Sequence, residues 1–426
     1  MSAIQKAIII GAGPAGLAAA LRLSQRNHIS CVVYEIRSEP TTLGGAIGIP
    51  PNGLRLLHRL GVYESLAARG AVSSKLTVHS SNGTDLGEID LASWSERKTG
   101  FGLMRIKRTD LLDVLLEATE KAGITIHYDK RLVAVEESAQ GVSVTFSDGS
   151  TDTADLLLGC DGIHSSVRTL HVDQNIVPEY SGVSGIFSLL PTSELSPSAS
   201  SVSCLNATLT PDGLFVLMPC TPSGDGLFWF FSYEVPIPAS GDTRDGWEEH
   251  RKKEVERFKY NLFDVLHGVQ GLWGHLLRDV VSQTKVVKFY PVFRLPLGGS
   301  WSKGNCLLLG DAAHAMQPHA GQGVSMALED VFLLSRLLES SYTSTSDIFA
   351  KYDEIRRPRI EKIYKTAASN ADRRKKTSPW RLRIMECILW IGLKGYKYCR
   401  LDRWGIGQKD LVYDIDQVEI LGAFRL

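Results

Sequence analysis

Residues 6–35 read KAIIIGAGPAGLAAALRLSQRNHISCVVYE, and the fold turns on how this stretch is understood. KAIII is β-branched and continuously apolar, as a strand buried on both faces must be, and GPAGLAAALRLSQR has a helix pattern with Pro14 in its first turn. Between them runs Gly11-Ala12-Gly13-Pro14-Ala15-Gly16. Glycine at the first position permits a tight turn, at the second it lets a pyrophosphate approach the backbone, and at the third it lets helix and strand pack closely. The start of the helix then offers phosphate its unpaired N–H groups. Such a turn is weak alone, since a strand, a turn and a helix need bind nothing. Here a second strand, CVVYE, ends in Glu35, about 20 residues beyond Gly16, where a carboxylate can take a ribose diol. Together these features predict an α/β, Rossmann-type dinucleotide site.

Glu35 in place of a basic residue suits an unphosphorylated adenosine ribose, hence NAD or FAD. Next comes GGAIGIPPNGLRLLHRLGV (44–62), a glycine-rich loop from Gly44 to Gly48, then a helix expected to start at Asn52 and end near Gly61. A dehydrogenase would resume its strand–helix alternation; a loop that keeps to the ligand suits the longer FAD. IKRTDLLDVLLEATEKAG (106–123) is an amphipathic helix entered through Arg108. A lone arginine there is commonly just solvated, but a cation at a helix start opposes the macrodipole, so its placement asks for an anionic neighbour. GVSVTFSDGSTDTADLLLGCDGIHSSVR (141–168) reads as a hairpin about Asp148-Gly149, then a buried strand running to Cys160-Asp161-Gly162. Far downstream, CLLLGDAAHAMQPHAGQG (306–323) sets Asp311 after a strand and Pro318 before a glycine-flanked turn.

Three of these motifs, the Gly11-to-Gly16 turn with Glu35, GCDGIHSSVR (159–168) and LLLGDAAHAMQPHAGQG (307–323), in this order, resemble the single-component, class A flavoprotein aromatic monooxygenases. The resemblance covers residues 5 to about 170 and about 285 to 370. PHAGQ is similar to salicylate-hydroxylase-like members, YDEIRRPRIEKI (352–363) resembles their closing helix, and a fungal-type member of secondary metabolism fits the pattern. The resemblance implies tightly but non-covalently bound FAD. It implies that Gly11, Gly13, Ala15, Gly16 and Glu35 hold the adenosine end, that Gly48 and Arg108 meet the cofactor, and that Asp161 lies near where NAD(P)H docks as a transient co-substrate. It further implies that Asp311 accepts from a ribityl hydroxyl, that Pro318 lies beside the isoalloxazine, and that Gly321, Gly323 and Val324 bring a helix start to the flavin pyrimidine, where backbone N–H groups stabilise negative charge. The implied reaction takes electrons from NAD(P)H and oxygen from O2 to hydroxylate or epoxidise an electron-rich carbon.

The expected organisation is a Rossmann-type FAD-binding segment (1–170), a mainly antiparallel substrate-roof sheet (171–290), a return to the FAD domain (291–370) and a helical, basic tail (371–426). GLFVLMPC and GLFWFFSYEV supply the roof with Phe215, Phe228, Trp229, Phe230, Phe231 and Tyr233, most of which a sheet would spend on its core. Tyr233, Tyr290, Arg294 and His319 are candidate polar contacts to substrate, while no catalytic base can be named. A roof rich in aromatics and poor in charge favours an aromatic or heteroaromatic small molecule with one or two polar handles. The tail carries Arg373, Arg374, Lys375, Lys376, Arg381 and further bases among Trp380, Ile384, Ile388 and Trp390. Such a stretch suits either weak contact with a membrane surface or, more commonly, packing on the core with a solvated outer face.

Lys and Arg number 47 and Asp and Glu 47, so no global field draws nucleic acid or an anionic membrane. The seven cysteines are odd in number and scattered, without CxxC or histidine clusters, so no metal site or disulfide framework is expected and a reducing, cytoplasmic setting is. No apolar run reaches the roughly 18–20 residues of a membrane span, which predicts a soluble protein. The rivals are a flavin-dependent halogenase, whose usual WxWxIP is absent, a flavin oxidase or dehydrogenase without oxygen insertion, and a non-catalytic nucleotide-binding module.

Overall fold

Lys6–Ile10 is an inner strand of a six-stranded sheet, with Ile8 opposite Val32 of Ser30–Tyr34 on one side and opposite Leu157 of Leu156–Gly159 on the other, both parallel. Ala7, Ile8 and Ile9 are wholly buried, as their unbroken apolar run requires. Cys306–Leu308 pairs in parallel with Leu156–Gly159, Thr125–His127 closes one edge, and Ser302–Lys303 adds an antiparallel strand at the other. The chain thus returns after residue 300 to lay its third quoted stretch beside its first. The helices Pro14–Asn27 and Gly323–Leu338 pack together, and the Arg22 guanidinium lies 4.4 Å above the Phe332 ring. The computed structural model describes residues 4–42, 45–138, 141–234, 247–249, 252–340, 342, 344–372 and 374–420, so Gly44 and Arg373 fall outside the described residues.

A second, eight-stranded sheet is mostly antiparallel. Besides Glu179–Pro191, Leu205–Leu209, Gly213–Pro219, Gly226–Glu234, Trp247–Glu249 and Val287–Arg294, it takes in Lys75–His79 and Asp85–Asp90, which lie well before residue 171. Strand alternation divides its side chains between two environments. Phe215, Leu217, Trp229 and Phe231 pack beneath the helices Lys252–Val265 and Gly271–Gln283. Phe187, Phe228, Phe230 and Met218 point the other way, where they meet Ala46 of a three-stranded sheet formed by Ala46–Ile49, Ala71–Val72 and Met104–Lys107.

One expectation needs correction. The helix expected to start at Asn52 spans Pro51–Arg59, with Pro50 at its cap position and no side-chain cap. Consecutive prolines preset the first turn, which frees Asn52 to face inward, where it donates to Gln322 at 3.0 Å and Glu329 at 2.8 Å. In the tail, the helix Pro379–Tyr398 lies along the strand Asp85–Asp90, and only Leu382 and Leu393 of that helix are buried. Large apolar side chains, among them Trp380, Ile388 and Ile391, remain exposed on it. Among the described residues no helix is long and apolar enough to cross a membrane.

Candidate cofactor and substrate site

A cleft of about 590 Å³ opens along the carboxyl ends of the parallel strands, where ligands of such sheets bind. Gly11, Gly13 and Ala15 line it at the first turn, Glu35 at the end of the next strand, Asp161 after the third and Asp311 after the fourth. Arg108, Gly323 and Val324 line it as well. Arg37, Thr41, Tyr128 and Lys130, which no motif marks, line it too, as does His164 from within the second motif.

The glycines divide by what a side chain would meet. Gly11 has φ +103°, and a Cβ there would come within 2.5 Å of the Cys160 carbonyl oxygen; at Gly16 it would come within 2.0 Å of the Gly11 carbonyl oxygen. These two keep the turn, helix and neighbouring strand in contact, and Gly16 accordingly sits behind the cleft. At Gly13 a Cβ would meet nothing within 4 Å, because the position faces open cleft. Glu35 braces the same turn: its carboxylate accepts from Ala12 N at 2.8 Å and from Arg37 N at 3.0 Å. The backbone of the second turn is likewise held, since Asp161 accepts from Ser166 N at 2.6 Å and Val167 N at 3.2 Å. Its other oxygen is buried without a partner, and burial raises the carboxyl's pKa. Asp311 opens onto the cleft, yet the protein crowds it enough that burial raises its pKa, against the opposing charges of His314 and Arg108. Arg108 thus finds its anionic neighbour across the cleft, while its N–H donates to Gly45 O at 2.8 Å.

Two buried arginines hold these pieces in register. Arg168, which closes the second motif, donates to Ile163 O at 2.5 Å and to Ala312 O at 2.8 Å, stapling the loop after Asp161 to the turn after Asp311. Arg356, from the RRPR run, donates to Asp330 at 2.8 Å and Glu329 at 2.7 Å, all three being fully buried on or beside the helix Gly323–Leu338. Asp330 in turn accepts from Gly310 N at 2.8 Å and meets His314 at 2.7 Å, so the network ends directly beneath Asp311. The sequence marks RRPR but not its partners; Arg356 and Arg359, three residues apart on one helix face, are the signal it offers.

The remaining expected site residues are placed elsewhere. Gly48 does not line the cleft: Ile47 does, and successive strand residues face opposite ways. Pro318 and Gly321 sit on the turn leading into Gly323, outside the lining. His319, on that turn, has an unpartnered, buried Nε2, and burial with nearby Arg374 lowers its pKa to about 3. Tyr290 is paired opposite Gly185 and shares the sheet face of Phe187. Tyr233 is on the wrong face for a substrate contact, because alternation from Phe230 turns it toward the helices, against Phe231. Arg294 lies at the end of its strand, 3.6 Å from the Glu179 carboxylate. Among the described residues Glu137, His171 and Cys306 gather three ligating atoms, already joined by hydrogen bonds of 2.8 Å and 3.5 Å through the Glu137 carboxylate.

The open cradle at Gly13, the carboxylate braced beside it and the unpartnered Asp161 oxygen fit an extended dinucleotide with hydroxyl donors. Comparison with known proteins agrees. The model of the FAD binding domain family matches residues 5–259 and 297–367. The chain is 28% identical over 373 residues to 6-hydroxynicotinate 3-monooxygenase of Pseudomonas fluorescens, covering 87% of this chain and 92% of that one. Klebsiella pneumoniae HpxO, crystallised with FAD and uric acid, superposes with a TM-score of 0.80 at 23% identity, over 96% of each chain. A salicylate hydroxylase substrate complex superposes with a TM-score of 0.75 at 22% identity, over 98% of this chain and 97% of that one. The chain belongs to the FAD binding domain family, and within it to the FAD-dependent aromatic monooxygenases of class A.

Proposed function

We propose that this chain binds FAD along the cleft and places one oxygen atom from O2 on an aromatic or heteroaromatic small molecule held beneath Phe187, Phe228 and Phe230, with NAD(P)H as electron donor. The observation that carries the proposal is the single strand start that serves both places: Gly45 and Ala46 meet this aromatic sheet face, and Ile47 lines the cleft. Bound FAD supplies the redox chemistry and the activation of oxygen. The protein's part is to bind, orient and exclude water.

In this reading Glu35 takes the adenosine ribose, and the helix start after Gly13 takes the pyrophosphate. Asp311 accepts from a ribityl hydroxyl. Asp161 holds its loop through Ser166 and Val167 and leaves its second oxygen for a donor. The start of Gly323–Leu338 turns its N–H groups toward the flavin ring, where they favour negative charge. Phe187, Phe228 and Phe230 bury the aromatic face of the substrate and keep water from the reacting carbon. Residues 1–170 and 291–370 then serve as the cofactor half, 171–290 as most of the roof, and 371–426 as its tail. The relatives named above act, by their names, on 6-hydroxynicotinate and salicylate and bind uric acid, which supports a compact aromatic or heteroaromatic substrate.

The test is substrate-dependent NAD(P)H oxidation with isotopically labelled O2. Gain of one labelled oxygen by the product is expected. Oxidation without incorporation would make the protein an oxidase or dehydrogenase, and reconstituted protein that holds no FAD would end the proposal. A cytoplasmic setting is part of it and draws support from the scattered thiols. The exposed Trp380, Ile388 and Ile391 beside the basic residues of the tail favour a second, weaker reading, contact with a membrane surface, which co-sedimentation with anionic vesicles would detect.

A further inference from the structure

The segment joining the closing helix to the tail bridges the two halves. At its start Asn370 donates to the His319 carbonyl oxygen at 3.1 Å, which ties it to the turn before Gly323. At its end Thr377 N donates to Pro211 O at 2.8 Å and Lys376 lies 3.3 Å from Asp212, which tie it to a turn of the large sheet. Arg374 lies between these two moorings. Its guanidinium carbon is 5.7 Å from the centre of the Phe230 ring. Phe230 lies opposite Phe187 and Val216 in register, on the sheet face turned from the covering helices.

Arg374 is half-buried, and among the described residues its guanidinium has neither an ion-pair nor a hydrogen-bond partner. Crowding by protein lowers its pKa to about 10, so the charge is present at neutral pH. A half-buried guanidinium of this kind favours an anionic neighbour. Among the described residues of the segment, Lys375 is paired with Asp372 at 2.8 Å and Lys376 with Asp212 at 3.3 Å. Two neutral groups nearby also lack partners: the buried Nε2 of His319, and the buried hydroxyl of Ser232, which alternates onto the face of Phe230. An unpaired guanidinium against an aromatic wall, with neutral hydrogen-bonding groups close by, complements a planar ring that bears a carboxylate.

We propose that Arg374 is a specificity residue that anchors a carboxylate on the aromatic substrate, so that the tail segment completes the substrate chamber. This inference rests on the monooxygenase reading and narrows it to aromatic acids. It also changes the expectation drawn from the roof alone, whose middle segment offers little charge, because the cation arrives from beyond residue 370.

Benzoate and benzamide, alike in shape and differing in charge, test it on the FAD-loaded enzyme, with binding read from the change in the visible spectrum of the flavin. Wild-type holoenzyme should prefer benzoate. Arg374→Met should weaken benzoate at least tenfold and leave benzamide within about twofold, and Arg374→Lys should keep part of the preference. Equal binding of the two probes by wild type, or an undiminished preference in Arg374→Met, overturns the assignment. Flavin retention separates the failures: wild-type protein that holds no FAD overturns the functional reading together with this one, whereas holoenzyme without charge preference overturns only the role of Arg374. If Arg374→Met alone sheds its flavin, Arg374→Gln takes its place, and the same outcomes decide.

Discussion

Gly11 and Gly13 belong to one turn, yet their replacements are predicted to fail differently. A methyl at Gly11 collides with the Cys160 carbonyl at 2.5 Å and strains a backbone at φ +103°, so Gly11→Ala should destabilise the protein with or without FAD, by about 1–3 kcal/mol. At Gly13 the methyl enters open cleft, so Gly13→Ala should leave the melting temperature of the apoprotein unchanged and weaken FAD at least tenfold. Thermal melts of apoprotein alongside flavin titration check both, and equal behaviour of the two variants would show that the space beside Gly13 is not where the cofactor lies. Asp311→Ala should also cost about tenfold or more in FAD affinity, the loss of an acceptor worth on the order of 1–3 kcal/mol. The demands of the turn are local, which is why its fold could be read from six residues. Tyr233 and Asn52 could not be read that way. Which way Tyr233 faces depends on the register of Gly226–Glu234 with its neighbours, and Asn52 is claimed by Glu329, hundreds of residues away.

At the scale of elements, the helix Gly323–Leu338 is held by charges rather than by caps, since it has no side-chain cap and carries Glu329 and Asp330 wholly buried on its inner side. Burial alone would raise the Asp330 pKa; His314, Arg356 and the Gly310 N–H overrule it and bring it down to about 2. A carboxylate lowered in this way stabilises the fold above its unfolded pKa near 3.9, and that contribution is lost as pH falls toward 2. We therefore expect on the order of 2 kcal/mol of stability to disappear between about pH 5 and pH 2, and Asp330→Asn to flatten that part of the profile in urea melts. Removing the counter-charge should be worse. Arg356→Ala removes the guanidinium shared by two buried carboxylates, leaving Asp330 to His314 and Gly310 N and Glu329 to Arg359 and Asn52, and should cost on the order of 3 kcal/mol at neutral pH, with the turn carrying Asp311 loosened through Gly310. A variant as stable as wild type would mean that the network contributes nothing net. The sequence marks the start of this helix by its glycine turn and the RRPR stretch by its resemblance to a closing helix; their pairing is tertiary and leaves no local pattern.

At the scale of the whole molecule, the last described residues come back to the cofactor half. Ile415 is fully buried, and Asp414 pairs with Arg55 at 2.7 Å and Arg59 at 2.6 Å, while Asp416 reaches Arg59 at 2.8 Å. Arg336 donates to Val418 O at 2.8 Å, and Gln408 accepts from both Trp94 N and Ser95 N at 3.0 Å. The clasp grips the far ends of Pro51–Arg59 and Gly323–Leu338, two helices whose near ends stand at the cofactor loop and the cleft. Charge composition in the tail pointed toward its bases, whereas the residues that secure it are its acids, which find Arg55, Arg59 and Arg336 only through the fold. Hydrogen bonds from Arg59 and Arg55 outweigh burial and hold Asp414 well below the usual carboxylate range, so it is ionised at every pH at which the protein would be handled. Asp414→Ala should therefore leave the partly buried Arg55 without its counter-ion and Arg59 with Asp416 alone. The expected loss is on the order of 1–3 kcal/mol, read as a melting temperature lowered by several degrees and as faster amide exchange in both helices. FAD should be held less tightly as well, because the cradle at Gly323 is anchored from its far end. If exchange quickens in the tail alone while both helices stay protected, the clasp is an ornament of the surface and the cofactor half stands without it.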